Sequence, residues 1–223
     1  MAFLNTSDIG VCTILENNYP VIRDEYSTFK TKYLYNESRE ELVEDDSEHW
    51  DLCRKGYLDS IKAAENLQHY HGFKWQEHTI EPKRKECNWY GLSMNEDTIW
   101  EGILLGYISS SMYELKSTIL GSKYFLKTMQ LLSSFCQSNC IVSASIARFP
   151  ANKILPRHNG YDFLIKIHLP LYVPQGDIGF CAGEETMTWK TGKCSAFYDS
   201  TEHNGWNNTS EDRVALIVDI MRK

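Results

Sequence analysis

Residues 141–149 read Ile-Val-Ser-Ala-Ser-Ile-Ala-Arg-Phe. From Val142 to Ile146 apolar residues alternate with serines, and a period of two is the mark of a strand with one face buried. The same rhythm returns at 163–173, 178–182, 186–190, 194–198 and 214–221. Turn chemistry separates these runs: Pro150-Ala-Asn, His158-Asn-Gly, Pro174-Gln-Gly-Asp, Thr191-Gly and Asn204-Gly. Many short strands at close spacing predict a β-sandwich or barrel.

Upstream of Cys140 the period changes to three and four. Trp50, Cys53, Tyr57, Ile61, Ala64, Leu67 and Tyr70 form one apolar stripe of an amphipathic helix over 48–71. Ser47 suits its N-cap and Gly72 its end. A second helical region is expected over 109–137, with Met112, Leu115, Ile119, Leu120, Tyr124, Met129 and Leu132 on its apolar face and a break or bend at Gly121. Helices first and strands after predict helices packed on the outside of one sheet. The expected organisation is a single domain over 1–223, with a helix-rich part over 1–140 packing on a β core over 141–221.

The chain has 223 residues, 42% of them hydrophobic, enough for one full core. Its net charge of −7 argues against wrapping nucleic acid or holding an anionic membrane by charge. Mean hydropathy is −0.42, and no apolar run approaches the roughly 20 residues of a membrane span. Residues 1–6 show no basic region followed by an apolar stretch, so no secretory signal is read there. Seven scattered cysteines, an odd number, then point to reduced thiols and a cytoplasmic protein. The acidic stretch 36–49 reads as a solvated face. The cluster Lys83, Arg84 and Lys85 reads as a solvated loop, and His69 and His71 as the end of a helix.

Three of the seven histidines fall in the strand-rich part: His158, His168 and His203. His158 sits at the mouth of a turn in Leu155-Pro-Arg-His-Asn-Gly160. His203 follows a strand, 45 residues later. That separation is natural for two strand ends meeting across a small barrel. Neutral imidazoles there suit Fe(II), Zn or Cu. Ten residues beyond His203, Arg213 opens an apolar strand. Directed into a barrel it would need an anion, and a carboxylate offers a bidentate partner.

At these residues the sequence resembles the aspartyl/asparaginyl β-hydroxylase family of Fe(II)/2-oxoglutarate-dependent dioxygenases. The resemblance covers about 141–221. It rests on Pro156-Arg-His-Asn-Gly160, Lys166-Ile-His-Leu-Pro-Leu171, and Cys181-Ala-Gly-Glu-Glu-Thr-Met-Thr-Trp189 followed by Gly192-Lys193. It continues through Phe197-Tyr-Asp-Ser-Thr-Glu-His203 and ends in Arg213-Val-Ala-Leu-Ile-Val-Asp219. What it implies is a mainly β fold with helices, a double-stranded β-helix of the jelly-roll or cupin-like kind, with N-terminal and flanking helices and iron at one open end. His158 and His203 would be the metal ligands, and Arg213 would pair with the distal carboxylate of 2-oxoglutarate. Lys166 and His168 stand where the family places a basic residue and a histidine near the co-substrate or substrate carboxylate. The lysine departs from the arginine usual in the mammalian enzymes, and a point charge cannot grip a carboxylate bidentately.

A carboxylate two residues after the first histidine completes the iron site in most enzymes of the wider class. Here that position is Gly160, as it is in the mammalian-type hydroxylases, so two histidines would hold the iron. Asp162 is displaced from the usual place. Asp199 and Glu202 flank the second histidine as candidates for orienting an imidazole. The implied activity consumes O2 and 2-oxoglutarate and hydroxylates an unactivated C–H of an amino acid, an amino-acid conjugate or an Asp/Asn-like side chain. The competing reading is a non-catalytic jelly-roll that binds a carboxylate ligand or a partner.

Overall fold

The computed structural model describes residues 2–33, 101–108, 114–117, 119–139 and 141–222. The expected helix over 48–71, the acidic stretch 36–49, the cluster at 83–85 and His69 and His71 lie outside the described residues.

Among the described residues ten strands form two antiparallel sheets. They are β1 (Glu101–Ile108), β2 (Leu115–Ser117), β3 (Ile141–Phe149), β4 (Lys153–His158), β5 (Leu164–Tyr172), β6 (Ile178–Ala182), β7 (Glu185–Met187), β8 (Ser195–Tyr198), β9 (His203–Asn207) and β10 (Arg213–Met221). One sheet runs β2-β1-β3-β10-β5-β8 and the other β4-β9-β6-β7. From β3 to β10 the chain crosses between the sheets at every connection except the β6–β7 hairpin. That alternation is a double-stranded β-helix, as the resemblance implies.

The strand reading holds at β3 and β6 to the residue, and at β5, β8 and β10 to within one or two residues at an end. It omits β4, of which only His158 is assigned, to a turn, and β9, where Asn204-Gly205 reads as a turn. The expected strand over 186–190 is the shorter β7, one residue earlier.

Helices α1 (Gly10–Asn17), α2 (Tyr19–Tyr33), α3 (Ile119–Tyr124) and α4 (Leu126–Asn139) accompany the sheets. The expected helical region over 109–137 is corrected in two ways. Leu115–Ser117 is a strand paired with β1. The helical part breaks at Phe125, not at Gly121. Phe125 turns fully into the core. Gly121 stays helical because a Cβ there would lie 2.0 Å from the Leu105 carbonyl oxygen, so glycine lets α3 approach β1. Among the described residues no helix is long and apolar enough to cross a membrane.

The larger sheet has two working faces. On its outer face Ile165, Ile167, Leu169 and Leu171 of β5 and Val214, Leu216, Val218 and Ile220 of β10 pack against helical residues. Those partners recur at helical spacing: Val11, Cys12 and Leu15; Ile22, Tyr26 and Phe29; Met129, Leu132 and Cys136. Glu25 of α2 accepts hydrogen bonds from the backbone N–H groups of Lys127 and Thr128 at 2.8 and 3.0 Å, capping α4 from a neighbouring helix. On the inner face, Phe149, Ile178, Phe180, Ala182, Trp189 and Phe197 fill the space between the sheets. Buried Asn207 fixes the entry to β10, its side-chain amide donating to the carbonyls of Phe149, Pro150 and Glu211. Arg213, the first residue of β10, lies two residues beyond the anchored Glu211 carbonyl.

Candidate functional site

β4 and β9 are neighbours in the smaller sheet, and His158, the last residue of β4, stands directly opposite His203, the first of β9. The imidazole centroids are 4.2 Å apart. His158 lies on the exposed rim and His203 is buried against Phe197 and Phe180. Each ring donates its Nδ1–H to a carbonyl two residues back: His158 to Pro156 at 2.8 Å, His203 to Thr201 at 2.7 Å. With Nδ1 protonated, the lone pair of a neutral imidazole is on Nε2. Burial, followed by the neighbouring His158, pushes the His203 pKa down to about 3, against the opposing effect of the Thr201 carbonyl. Two adjacent imidazoles with fixed tautomers and unprotonated nitrogens form a donor pair of the kind that takes a first-row divalent metal.

Asp199 and Glu202 do not bond to either imidazole. The Asp199 carboxylate accepts from the Tyr161 backbone N–H at 2.9 Å, and its backbone carbonyl accepts from the Gly160 N–H at 2.8 Å. It thereby closes the turn that follows His158. Glu202 pairs with Arg157 on the surface at 2.9 Å. Backbone carbonyls fill the orienting role expected of these acids. Among the described residues no group of three or more His, Cys, Asp and Glu side chains is arranged to hold a metal, and Asp162 does not join the histidine pair.

Deeper in the barrel, Arg213 and His168 meet on neighbouring strands. Arg213 is 4% and His168 6% exposed. The guanidinium carbon lies 3.9 Å from the centroid of the Trp189 ring, a cation–π stack. Its Nη2 approaches His168 Nδ1 at 3.4 Å. A guanidinium only donates, so Nδ1 accepts, which puts the imidazole proton on Nε2. Burial lowers the Arg213 pKa to about 9, and burial with the Arg213 charge holds His168 well below the usual imidazole range. Among the described residues no carboxylate pairs with Arg213. Its Nε and His168 Nε2 are buried without a hydrogen-bond partner. Unpaired buried donors beside an uncompensated buried charge fit an anionic ligand.

Lys166 shares the inner face two residues before His168. Its ammonium lies 3.0 Å from Asp219 and 3.6 Å from Asp199, and Asp219 also accepts from the Ser143 hydroxyl at 2.7 Å. The structure thus brings His158 with His203 and His168 with Arg213, and engages Lys166 with two carboxylates. Ser195 and the indole N–H of Trp189, both buried and without partners, were missed as polar site residues. A serine in a short strand carries no distinctive pattern, and Trp189, though part of a motif quoted above, reads as a packing residue.

The sequence profile described as "Aspartyl/Asparaginyl beta-hydroxylase" matches residues 16–223. The chain is 33% identical over 85 residues to the ornithine lipid ester-linked acyl 2-hydroxylase of Rhizobium tropici, covering 37% of this chain and 30% of that protein. It is 30% identical over 97 residues to the aspartyl/asparaginyl beta-hydroxylase of Mus musculus, covering 42% of this chain and 13% of that protein. The match therefore spans less than a third of the length of either relative. A solved oxidoreductase of the 2OG-Fe(II) oxygenase family from Burkholderia pseudomallei superposes with a TM-score of 0.43 and 9% identity, over 58% of this chain and 71% of that one. The profile runs through α2 to α4, both sheets and all five of the residues His158, Lys166, His168, His203 and Arg213, and on that breadth the chain belongs to the aspartyl/asparaginyl β-hydroxylase family.

Proposed function

We propose that this chain is an Fe(II)/2-oxoglutarate-dependent dioxygenase that hydroxylates an unactivated C–H bond. The observation that carries the reading is the His158–His203 pair, tautomers fixed with Nε2 unprotonated, in the same barrel as a buried arginine that no carboxylate neutralises among the described residues. His158 and His203 would hold the iron, and Arg213 with His168 the distal carboxylate of 2-oxoglutarate. When bound, iron and 2-oxoglutarate supply the oxidative decarboxylation to succinate and CO2 and the transfer of an O2-derived hydroxyl to carbon. The chain's own contribution is to bind, orient and exclude water. The Pro156 and Thr201 carbonyls fix the imidazoles, and Phe180 and Phe197 wall the interior against solvent.

The relatives' names describe hydroxylation of an acyl chain in one case and of Asp or Asn in the other. C–H hydroxylation is what they share. For this chain the acceptor is a small amino acid, an amino-acid conjugate or an Asp/Asn-like side chain in a peptide. Lys166 would meet the substrate or co-substrate carboxylate. Paired with Asp199 and Asp219, it offers a mixed-charge surface and not a bare cation. The non-catalytic jelly-roll reading is disfavoured by the two fixed imidazoles, which carboxylate binding alone does not require. Incubating the Fe(II)-loaded chain with 2-oxoglutarate and O2 tests the proposal. Histidine-dependent succinate formation supports it, and its absence across a panel of amino acids and Asp- and Asn-containing peptides overturns it.

A further inference from the structure

The described residues contain four buried side-chain polar atoms without a hydrogen-bond partner: Arg213 Nε, His168 Nε2, Trp189 Nε1 and Ser195 Oγ. Their residues adjoin. Arg213 stacks on Trp189 and touches His168. His168 is the register partner of Ser195 across the β5–β8 ladder. Ser195 shares the inner face of β8 with Phe197, while Ala196 between them faces the helices. All four residues are 8% exposed or less.

The chemistry of the four atoms agrees. A guanidinium Nε and an indole Nε1 can only donate. His168 Nε2 carries its ring proton, because Nδ1 accepts from Arg213. The Ser195 hydroxyl can rotate to donate. Four donors with no acceptor, one of them charged, match a group that only accepts and carries negative charge. A carboxylate has two oxygens and about four lone-pair directions.

We propose that Ser195 Oγ and Trp189 Nε1 act with Arg213 and His168 as one cradle for the distal carboxylate of the 2-oxo dicarboxylate co-substrate, so that the hydroxyl and the indole N–H select for that carboxylate. This rests on the 2-oxoglutarate reading above. Arg213 supplies the charge and Trp189 a platform that holds the guanidinium flat. Ser195 enters from the far side of His168. The cradle thus draws on β5, β8, β10 and Trp189, just ahead of the β7–β8 turn.

The test is calorimetric titration of the Mn(II)-loaded full chain, which binds without turnover, with 2-oxoglutarate and with 2-oxopentanoate, the same five-carbon chain lacking the distal carboxylate. The wild type is expected to prefer 2-oxoglutarate strongly. Ser195→Ala and Trp189→Phe should each weaken 2-oxoglutarate by about 10- to 100-fold, the usual effect of losing one hydrogen bond to a charged group. Binding of 2-oxopentanoate should change less than about twofold, because its missing carboxylate never meets the cradle. Ser195→Thr, which keeps a hydroxyl, should recover part of the loss. Thermal melts add a second readout. Ser195→Ala removes an unpaired buried hydroxyl, so the ligand-free Tm should hold or rise while the gain on adding 2-oxoglutarate shrinks. A serine serving only the fold would lower the ligand-free Tm and leave the gain intact. Preference for 2-oxoglutarate that survives in Ser195→Ala overturns the cradle and leaves the co-substrate reading standing. A wild-type protein that binds neither 2-oxo acid overturns both.

Discussion

Gly160 and Asp199 occupy one another's space: a Cβ on Gly160 would lie 2.0 Å from Asp199 Oδ2 and 2.4 Å from its carboxyl carbon. The position two residues after His158, where a third ligand is found in many iron oxygenases, is backed by a carboxylate from another loop. Gly160→Asp is therefore expected to destabilise the fold by about 1–3 kcal/mol or more through overpacking, with like-charge repulsion added. It should not tighten Mn(II) binding. Pairing it with Asp199→Gly reopens the space and should recover most of the stability. Urea melts and Mn(II) titrations on the single and double variants check both statements.

The facing histidines make a second expectation. His158→Ala and His203→Ala should each lower divalent-metal affinity at least about 100-fold, because one remaining imidazole is an ordinary surface-type ligand. The fold should survive, at little cost for the exposed His158 and at a larger one for His203, whose buried ring packs on Phe180 and Phe197. Metal titration beside circular dichroism separates the effects. Full metal binding in either variant removes that histidine from the site.

Arg213 should behave as a buried charge awaiting its partner. Arg213→Ala is expected to cost about 2–5 kcal/mol of 2-oxoglutarate affinity, a factor on the order of 30 to 3,000, while metal binding changes little. Arg213→Lys should recover only part, because an ammonium cannot reproduce the fork or its stack on Trp189. Calorimetry with the Mn(II)-loaded variants measures this. A change below about threefold would make Arg213 an ordinary structural residue.

His203 predicts a pH dependence of the metal-free protein. Its folded pKa is depressed to about 3, against an ordinary value of 6.5. Above pH 6.5 both folded and unfolded chains hold it neutral. Between 6.5 and 3 the unfolded chain binds the proton and the folded one does not, so stability falls as pH falls. The slope approaches ~1.4 kcal/mol per pH unit for this one group. His168, depressed in the same direction, adds to it. His203→Gln should flatten the curve between pH 6 and 4 in urea melts made in the presence of a chelator. Parallel wild-type and variant curves would show that the ring is not buried neutral.

The strands that could be read from the sequence are those with a clean difference between faces. β3 and β10 pack aliphatics outward against helices, and β6 places Ile178, Phe180 and Ala182 inward. The strands that bear the metal-ligand candidates were hidden for local reasons. β4 contains Pro156, is mostly exposed and sits at a sheet edge, where proline is tolerated. β9 contains Asn204-Gly205, a turn dipeptide by composition. Gly205 instead sits in a ladder, 3.4 Å from the Gly179 carbonyl and the Phe180 ring at its virtual Cβ. β1 carries two glycines and a register shift between Leu104 and Gly106, which erases its period. His158, His203 and Arg213 stand out in the sequence by residue type, spacing and the family resemblance, and the structure sets His158 against His203 and Arg213 against His168. The carbonyls that fix the imidazoles, and the unpartnered Ser195 hydroxyl, carry no such mark.

β10 answers to two neighbourhoods at once. Val214, Leu216, Val218 and Ile220 look out to the helices, while Arg213 and Asp219 look in to Trp189 and Lys166. Nothing local to Arg213 compels an arginine to leave water. Its address is written on the residues that point the other way, since a slip of one position would send four aliphatic side chains into the barrel and the cation into the helix-facing core. The grease on the outside is thus the alignment gauge for the chemistry on the inside. Insertions or deletions in this strand should be far less tolerated than any single substitution along it.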